Sequence, residues 1–313
     1  MKYIGKKVLS SIVTLLIVSF LVFFAFGIIP GDPATAKLGT QATPEKVSAL
    51  REEMGLNRPL IERYFEWLTG VVRGDFGESY SYNIPVTEMI KDKLPVTIFL
   101  TFFSFIIMLV ISQVVGIYTA RKEGKFIDKA ILIVNQIIMS IPPFFSGILI
   151  TLFFGIVFRV FTPGGYVSYQ TNFGGFIAYL FFPALAIALP KSAMTIKLLR
   201  SSLLEEKKKD YVRTAYSRGN STKEIFYHHI LKNACIPVIT FLGMTLADMI
   251  AGSIIIEQVF NIPGLGRILL TSIQNRDYPV VEAIIICIAF LVIVINLLVD
   301  FIYRKVDPRI TLE

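Results

Sequence analysis

The chain has 313 residues, of which 54% are apolar and only 17% charged, with a mean hydropathy of +0.65. Soluble domains carry about 45–50% apolar and about 25% charged residues, so this composition excludes an ordinary soluble fold. The formal net charge is +8, and its basic residues cluster beside apolar runs, which leaves nucleic-acid binding a poor explanation for them.

Crossing the core of a bilayer takes about 20 mostly apolar residues in a helix. Runs of that kind occur at 8–29, 96–120, 130–158, 176–199, 236–256 and 281–302. They predict an all-α membrane protein with six transmembrane helices. The first run follows Lys2, Lys6 and Lys7, is long for a signal peptide and has no small-x-small cleavage site before IIPGDP. It therefore reads as a retained helix.

Segment 30–95 is the one sizeable polar stretch between the early runs. Thr43 is placed to N-cap a helix that has Pro44 at its first position, runs to Met54 and ends at Gly55. A second helix, from Pro59 to Val72, puts Ile61, Tyr64, Phe65 and Leu68 on one face. The segment is too short for a large core of its own and should pack on the membrane part, as a spacer or as a contact surface.

The third run holds Pro142–Pro143 and is expected to kink, with neighbouring helices satisfying the freed carbonyls. Pro183, Pro190 and Lys191 interrupt the fourth. Cys235 and Cys287 lie at or in apolar runs and read as small packing residues rather than a disulfide. Lys and Arg accumulate on the cytoplasmic side of membrane proteins. Here they cluster at the N-terminus, at Arg121, Lys122, Lys125 and Lys129, along 207–232, and at Arg304, Lys305 and Arg309. The short loops of opposite parity hold Arg159, Arg267 and Arg276. Both termini and the stretch 203–237 are thus expected in the cytoplasm.

That stretch, LLEEKKKDYVRTAYSRGNSTKEIFYHHILKNACIP, reads as two short helices with a break. The first spans about Leu203 to Arg218, with Val212, Ala215 and Tyr216 on one face. Gly219–Asn220 suits a left-handed C-cap. Ser221 with Glu224 forms a capping box that restarts the chain, and Pro237 is expected to limit the second helix.

The same stretch resembles the cytoplasmic signature loop of ABC-transporter permease subunits. Arg213, Thr214 and Ala215 fill the slot of its E-A-A pattern, and Gly219 falls at the expected offset. Arg213 in place of Glu, and His229, Leu231, Asn233 and Pro237 in place of the usual ending, are similar to the peptide/nickel importer branch. Asp210, Tyr211, Val212 and Ala234 match that branch too. PGDP, MGLNRPL and GDFGES resemble the B-type subunits of oligopeptide and dipeptide importers. Glu257, Phe260, Pro263, Gly264, Leu265, Gly266 and Arg267 look like the turn after that branch's fifth helix, and Asp300, Tyr303, Asp307, Pro308 and Arg309 like its ending.

The resemblance implies a type I ABC importer permease fold with a cytoplasmic coupling-helix elbow that docks on a separate ATPase subunit. Asp210, Tyr211, Thr214, Ala215, Gly219, His229, Asn233 and Pro237 would be the ATPase-coupling residues, and Glu257, Pro263, Gly264, Gly266 and Arg267 an external loop motif. The chain would divide into 1–29, an extracytoplasmic segment 30–95, a permease core 96–302 carrying the coupling loop 203–237, and a cytoplasmic tail 303–313. The implied partners are a second homologous permease, two cytoplasmic ATPase subunits, an extracytoplasmic substrate-binding protein and membrane lipid. The implied place is a bacterial or archaeal cell membrane. Short peptides are the favoured substrates, with nickel chelates, glutathione and oligosaccharides as the related alternatives.

Polar side chains inside the apolar runs should face protein or a water-filled path. Gln113, Asn135 and Gln136 read as interhelical hydrogen-bonding residues or as path residues. Asp248 either faces a path and attracts a cationic group, or is paired or protonated within the bundle. No nucleotide-binding G-x-x-x-x-G-K-[ST] pattern occurs, and His228 and His229 are the only histidines, so no catalytic residue, metal site or cofactor is expected. An ion-coupled transporter is the rival reading, and it lacks the internal repeat such proteins show. A membrane enzyme would need a clustered acid, base or nucleophile.

Overall fold

The computed structural model describes residues 2–29 and 31–306, with side chains for 5–29 and 31–301. Asp307, Pro308 and Arg309 of the predicted tail lie outside the described residues. Among the described residues the regular structure is helical, apart from one isolated bridge between Glu78 and Pro85. Five helices are long and apolar enough to cross a membrane, at 5–28, 86–121, 173–206, 222–259 and 278–301. A bent pair, Phe126–Met139 with Pro143–Val157, turned by 103°, is apolar enough to make a sixth crossing as one broken span, or a re-entrant loop. The expected kink at Pro142–Pro143 is therefore a full break. Pro142 is extended (φ −60°, ψ 145°), because the residue before a proline is held out of the helical region.

The fourth run differs in the opposite sense. It is one uninterrupted helix of 34 residues, with Pro183 and Pro190 inside it. Each proline removes one backbone bond, but the buried flanks hold the helix: Pro183, Ala184, Ala186, Ile187, Ala188 and Pro190 are all buried.

The chain forms two compact units, residues 1–97 with 263–294, and residues 98–262 with 295–313. In the first unit, α1 (Lys2–Ile28) packs against α4 (Leu60–Val72). Short helices α2 (Pro33–Leu38) and α3 (Pro44–Glu53) lie between them in sequence, and α5 (Val86–Lys91) follows. Asp32 of the PGDP motif N-caps α2, accepting from Ala34 N and Thr35 Oγ1. Thr43 caps α3 as expected, with Pro44 at its first position, and Gly55 beyond its end has φ +66°. The face of α4 is rotated from the expectation: Tyr64 is buried, while Ile61 and Phe65 are exposed. The reason is Tyr64 itself, whose hydroxyl shares a 2.9 Å hydrogen bond with Ser19 Oγ inside a ring cluster with Phe20, Phe23 and Trp67. The unit is completed by α13 (Leu265–Gln274) and the first part of α14 (Tyr278–Val306). Asp277, just before α14 and fully buried, accepts from Ser79 Oγ at 2.5 Å, Tyr80 N at 2.8 Å and Ser81 N at 3.3 Å. Those three donors satisfy a carboxylate that would otherwise be costly to bury.

The second unit is built on α9 (Phe173–Glu206) and α12 (Leu231–Val259), its most extensively packed pair. Against α9 also lie α7 (Phe126–Met139) and α8 (Pro143–Ile150), the latter continuing as a π-helical segment Thr151–Val157. Most of α6 (Leu94–Arg121) belongs here, and Gly116 lets it approach Leu199, since a Cβ there would stand 2.9 Å from Leu199 Cδ2. Tyr179 Oη donates to the carbonyl of Phe260 at 2.7 Å. Arg200 on α9 grips Asp128 on α7 through two 2.8 Å bonds, and Asp128 is only 1% exposed.

Candidate functional site

The polar stretch after α9 starts one turn later than the sequence pattern places it. Helix α9 itself carries the chain to Glu206, a turn of three lysines follows, and a separate helix α10 spans Asp210–Ser217. The expected single helix from Leu203 to Arg218 is thus two pieces, broken where Lys209 turns extended (φ −70°, ψ 150°). Three adjacent ammonium groups repel one another. Lys209 Nζ instead folds back on Glu206 Oε2 at 2.5 Å, which raises the Lys209 pKa.

Helix α10 stands on an apolar seat. Val212 and Ala215 are buried in a cluster with Ala120 of α6, Leu199 and Leu203 of α9, and Ile225, Ile230, Ala234 and Val238 beyond. Tyr216, expected on that face, is exposed. Tyr211 takes its place at the edge, half-buried, because 211, 212 and 215 form the tighter stripe on one side of an eight-residue helix. The opposite side presents Asp210, Arg213, Thr214 and Ser217 to solvent. The Asp210–Arg213 ion pair there, at 3.5 Å between side chains 95% and 80% exposed, is of the kind that contributes little.

Gly219 ends α10 in the left-handed region (φ +81°), as its sequence position suggests. Ser221 then caps the next helix, its Oγ accepting from Glu224 N at 3.2 Å. That helix, α11 (Thr222–Glu224), runs through a π-helical segment Ile225–Ile230 into α12 without a stop. Pro237 therefore does not limit a helix; it lies inside α12, exposed, and the irregularity falls earlier, at 225–230. His229 sits half-buried in that π segment and His228 beside it is exposed.

A polar network locks α10 to the two long helices. Tyr211 Oη donates to Glu206 Oε1 at 2.7 Å and accepts from Asn233 Nδ2 at 3.1 Å. Burial pushes the Tyr211 phenol above its ordinary pKa, keeping it a donor. Glu206 is 7% exposed, so its charge is answered by Tyr211 and Lys209 rather than by water. Around these groups lies a cavity of about 510 Å³ lined by Ser202, Glu205, Glu206, Lys209, Asn233 and Pro237 among others. The residue that sequence reasoning missed is Glu206. It stands directly before the lysine run and five residues before Tyr211, a spacing that gains meaning only because α9 extends to reach it.

The remaining predicted residues lie elsewhere. Asn135 is buried and donates to the Ala193 carbonyl at 2.6 Å, an interhelical bond between α7 and α9. Gln136 is exposed and Gln113 half-buried. Asp248 is paired, its Oδ2 accepting from Lys191 Nζ of α9. Glu257 is fully buried near the end of α12, where its carbonyl accepts from Ile262 N at 2.8 Å. Pro263 is half-buried, Gly264 precedes the first turn of α13, and Gly266 and half-buried Arg267 lie inside that turn. At about 1.5 Å per helical residue, Asn233 and Glu257 are separated by about 36 Å along α12, enough to reach opposite faces of a bilayer. The predicted coupling residues around Asn233 and the Glu257 end of α12 are thus distinct places.

Residues 112–312 match the model of the binding-protein-dependent transport system inner membrane component, and residues 1–101 match the N-terminal model of the same transport-system membrane component. The chain belongs to this family. Its all-helical architecture is the type I ABC importer permease fold. A probable peptide ABC transporter permease protein of Sinorhizobium fredii is 36% identical over 98% of both chains. The oligopeptide transport system permease protein AppB of Bacillus subtilis is 36% identical, again over 98% of each. The glutathione transport system permease protein GsiC of Salmonella typhi is 33% identical over 99% of each. As a permease of this family the protein is a multi-pass membrane subunit of an ABC importer.

Proposed function

We propose that this permease forms half of the pathway of an ATP-driven importer of short peptides. The observation that carries the reading is α10: an eight-residue helix with an apolar underside, pinned by Tyr211, whose polar outer face is exposed among the described residues. Such a helix suits docking in a groove of an ATPase subunit. Asp210, Thr214 and the exposed flank of Gly219 would make the contact, while Tyr211, Ala215, His229, Asn233 and Pro237 hold the helix in place. The peptide substrate is supported by the names of the relatives from Sinorhizobium fredii and Bacillus subtilis.

In this reading the chain holds no ATPase site of its own. It pairs with a second, related permease, two cytoplasmic ATPase subunits and an extracytoplasmic binding protein, with both termini and α10 in the cytoplasm. Residues 30–95 and the turn around Pro263, Gly264, Gly266 and Arg267 would lie outside. ATP-driven closure of the ATPases draws two elbows together, and the rigid seat of α10 passes that movement to α9 and α12. The test is uptake by the assembled complex in proteoliposomes: short peptides should stimulate ATP hydrolysis and accumulate. Stimulation by glutathione or nickel chelates alone would move the substrate assignment to those classes, the glutathione case being the one a relative's name favours.

A further inference from the structure

We infer that the Lys191–Asp248 pair marks the pathway-facing side of the second unit, and that its free carboxylate oxygen receives the ammonium group of a passing substrate. The inference rests on the peptide reading above and gives it a site.

Asp248 lies on α12 about 22 Å along the axis from Asn233, well inside the apolar span. Only its Oδ2 is engaged, by Lys191 Nζ from α9. Oδ1 makes no hydrogen bond among the described residues, and the side chain is 60% exposed against 20% for Lys191. A half-satisfied carboxylate at that depth cannot face lipid tails, which offer no donor.

The surrounding face is open as well. Met244 and Ile255 flank Asp248 on α12 at one- and two-turn spacing, and both are exposed. A Cβ added at Gly252, one turn on, would meet no atom within 4 Å. Across from them on α9, Met194 is exposed one turn from Lys191. Two helices thus leave a lane with one polar station in it.

The pairing explains how the station tolerates being empty. Lys191 cancels the carboxylate, so the vacant lane carries no net charge. A zwitterionic substrate adds none either: its ammonium donates to Oδ1, and its carboxylate takes the remaining Lys191 N–H groups. The ligand class is therefore a primary ammonium on a molecule that also carries an anionic group, which describes a short peptide with free ends.

A structural role predicts otherwise: the pair would merely tie α9 to α12, and any ion pair would serve. Three variants separate the two in proteoliposomes holding equal amounts of assembled complex, with basal ATP hydrolysis as the check on assembly. Asp248→Asn should lower uptake of a free-ended tripeptide about tenfold. Lys191→Arg should stay within about twofold of the parent. The double exchange Lys191→Asp with Asp248→Lys keeps an ion pair between the helices but turns an ammonium into the lane, and should stay about tenfold down. Parent-like uptake by the exchanged variant would overturn the inference. If that variant fails to assemble, Asp248→Cys in a background lacking Cys235 and Cys287 decides: a membrane-impermeant cationic methanethiosulfonate should modify it, more slowly with tripeptide present. No modification, or no slowing by the peptide, would refute the assignment. Failure of the parent complex to take up any peptide while taking up another substrate would instead sink the peptide reading, and this inference with it.

Discussion

Tyr211 on α10 donates its hydroxyl proton to Glu206 at the end of α9, at 2.7 Å, and through the same oxygen accepts from Asn233 on α12 at 3.1 Å. One phenol thereby joins three helices at the point where the permease is proposed to receive force. Replacing it by Phe keeps the ring in the seat and removes both bonds, leaving Glu206 with Lys209 alone. Losing bonds to a buried, charged group costs about 1–3 kcal/mol. Tyr211→Phe should therefore reach the membrane in normal amounts but import several-fold less per ATP hydrolysed. Parallel assays of ATP turnover and uptake check this; an unchanged ratio would show that the network is not needed for coupling.

Gly219 tests the same joint from the backbone. Its φ of +81° suits glycine, yet a Cβ there would meet nothing within 4 Å, so strain rather than crowding decides. Gly219→Ala should cost about 1–2 kcal/mol and weaken coupling partly. Gly219→Pro demands φ near −65° and should uncouple ATP hydrolysis from uptake while the protein remains in the membrane. Uptake at the parent rate by the proline variant would contradict the mechanical role of the elbow.

Asp128 and Arg200 offer a stability test away from α10. Two 2.8 Å bonds and a third from Gly124 N at 3.0 Å hold a carboxylate that is 1% exposed. Removing one partner of such a buried pair costs about 3–5 kcal/mol. Asp128→Ala should lower the thermal transition of the detergent-purified protein clearly, and Arg200→Lys, which cannot bind bidentately, by less. Thermal unfolding followed by exposure of the two free cysteines would measure both.

Asp277 predicts a comparable effect in the first unit. Its three donors come from residues 79–81, in the stretch between α4 and α5. Asp277→Ala strands Tyr80 N and Ser81 N, each at a cost of about 1–3 kcal/mol, whereas Ser79→Ala removes one donor. Limited proteolysis should cut segment 73–85 readily in the first variant and slowly in the second. Equal resistance of both to the parent's would show that the segment is held by other means.

The long apolar helices and the caps at Thr43, Ser221 and Gly219 were legible in the sequence because each rests on a local rule. Thr43 and Ser221 are judged by residues three positions away, and Gly219 by its own backbone freedom. Pro142–Pro143 and Pro237 look alike as local signals yet behave differently. The first pair breaks the chain by 103°, while Pro237 is carried within a continuous helix. What separates them is the second proline, which holds Pro142 itself out of the helical region, whereas the single Pro237 interrupts α12 without breaking it. The face of α4 was misread because its partner is remote in sequence: Ser19 lies 45 positions from Tyr64. Around the elbow, Gly219 and the Val212–Ala215 face could be read directly. Glu206 could not, because its role depends on α9 extending about two turns past the apolar run to meet Tyr211.

The central claim is that α10 projects into the cytoplasm and is covered there by an ATPase subunit. A single cysteine at exposed Ser217, with Cys235 and Cys287 replaced, tests it by labelling with a membrane-impermeant maleimide. The account predicts labelling in inside-out vesicles, none in right-side-out vesicles, and strong protection when the ATPase subunits are present. Labelling from the outside, or labelling at the same rate with and without those subunits, would contradict it.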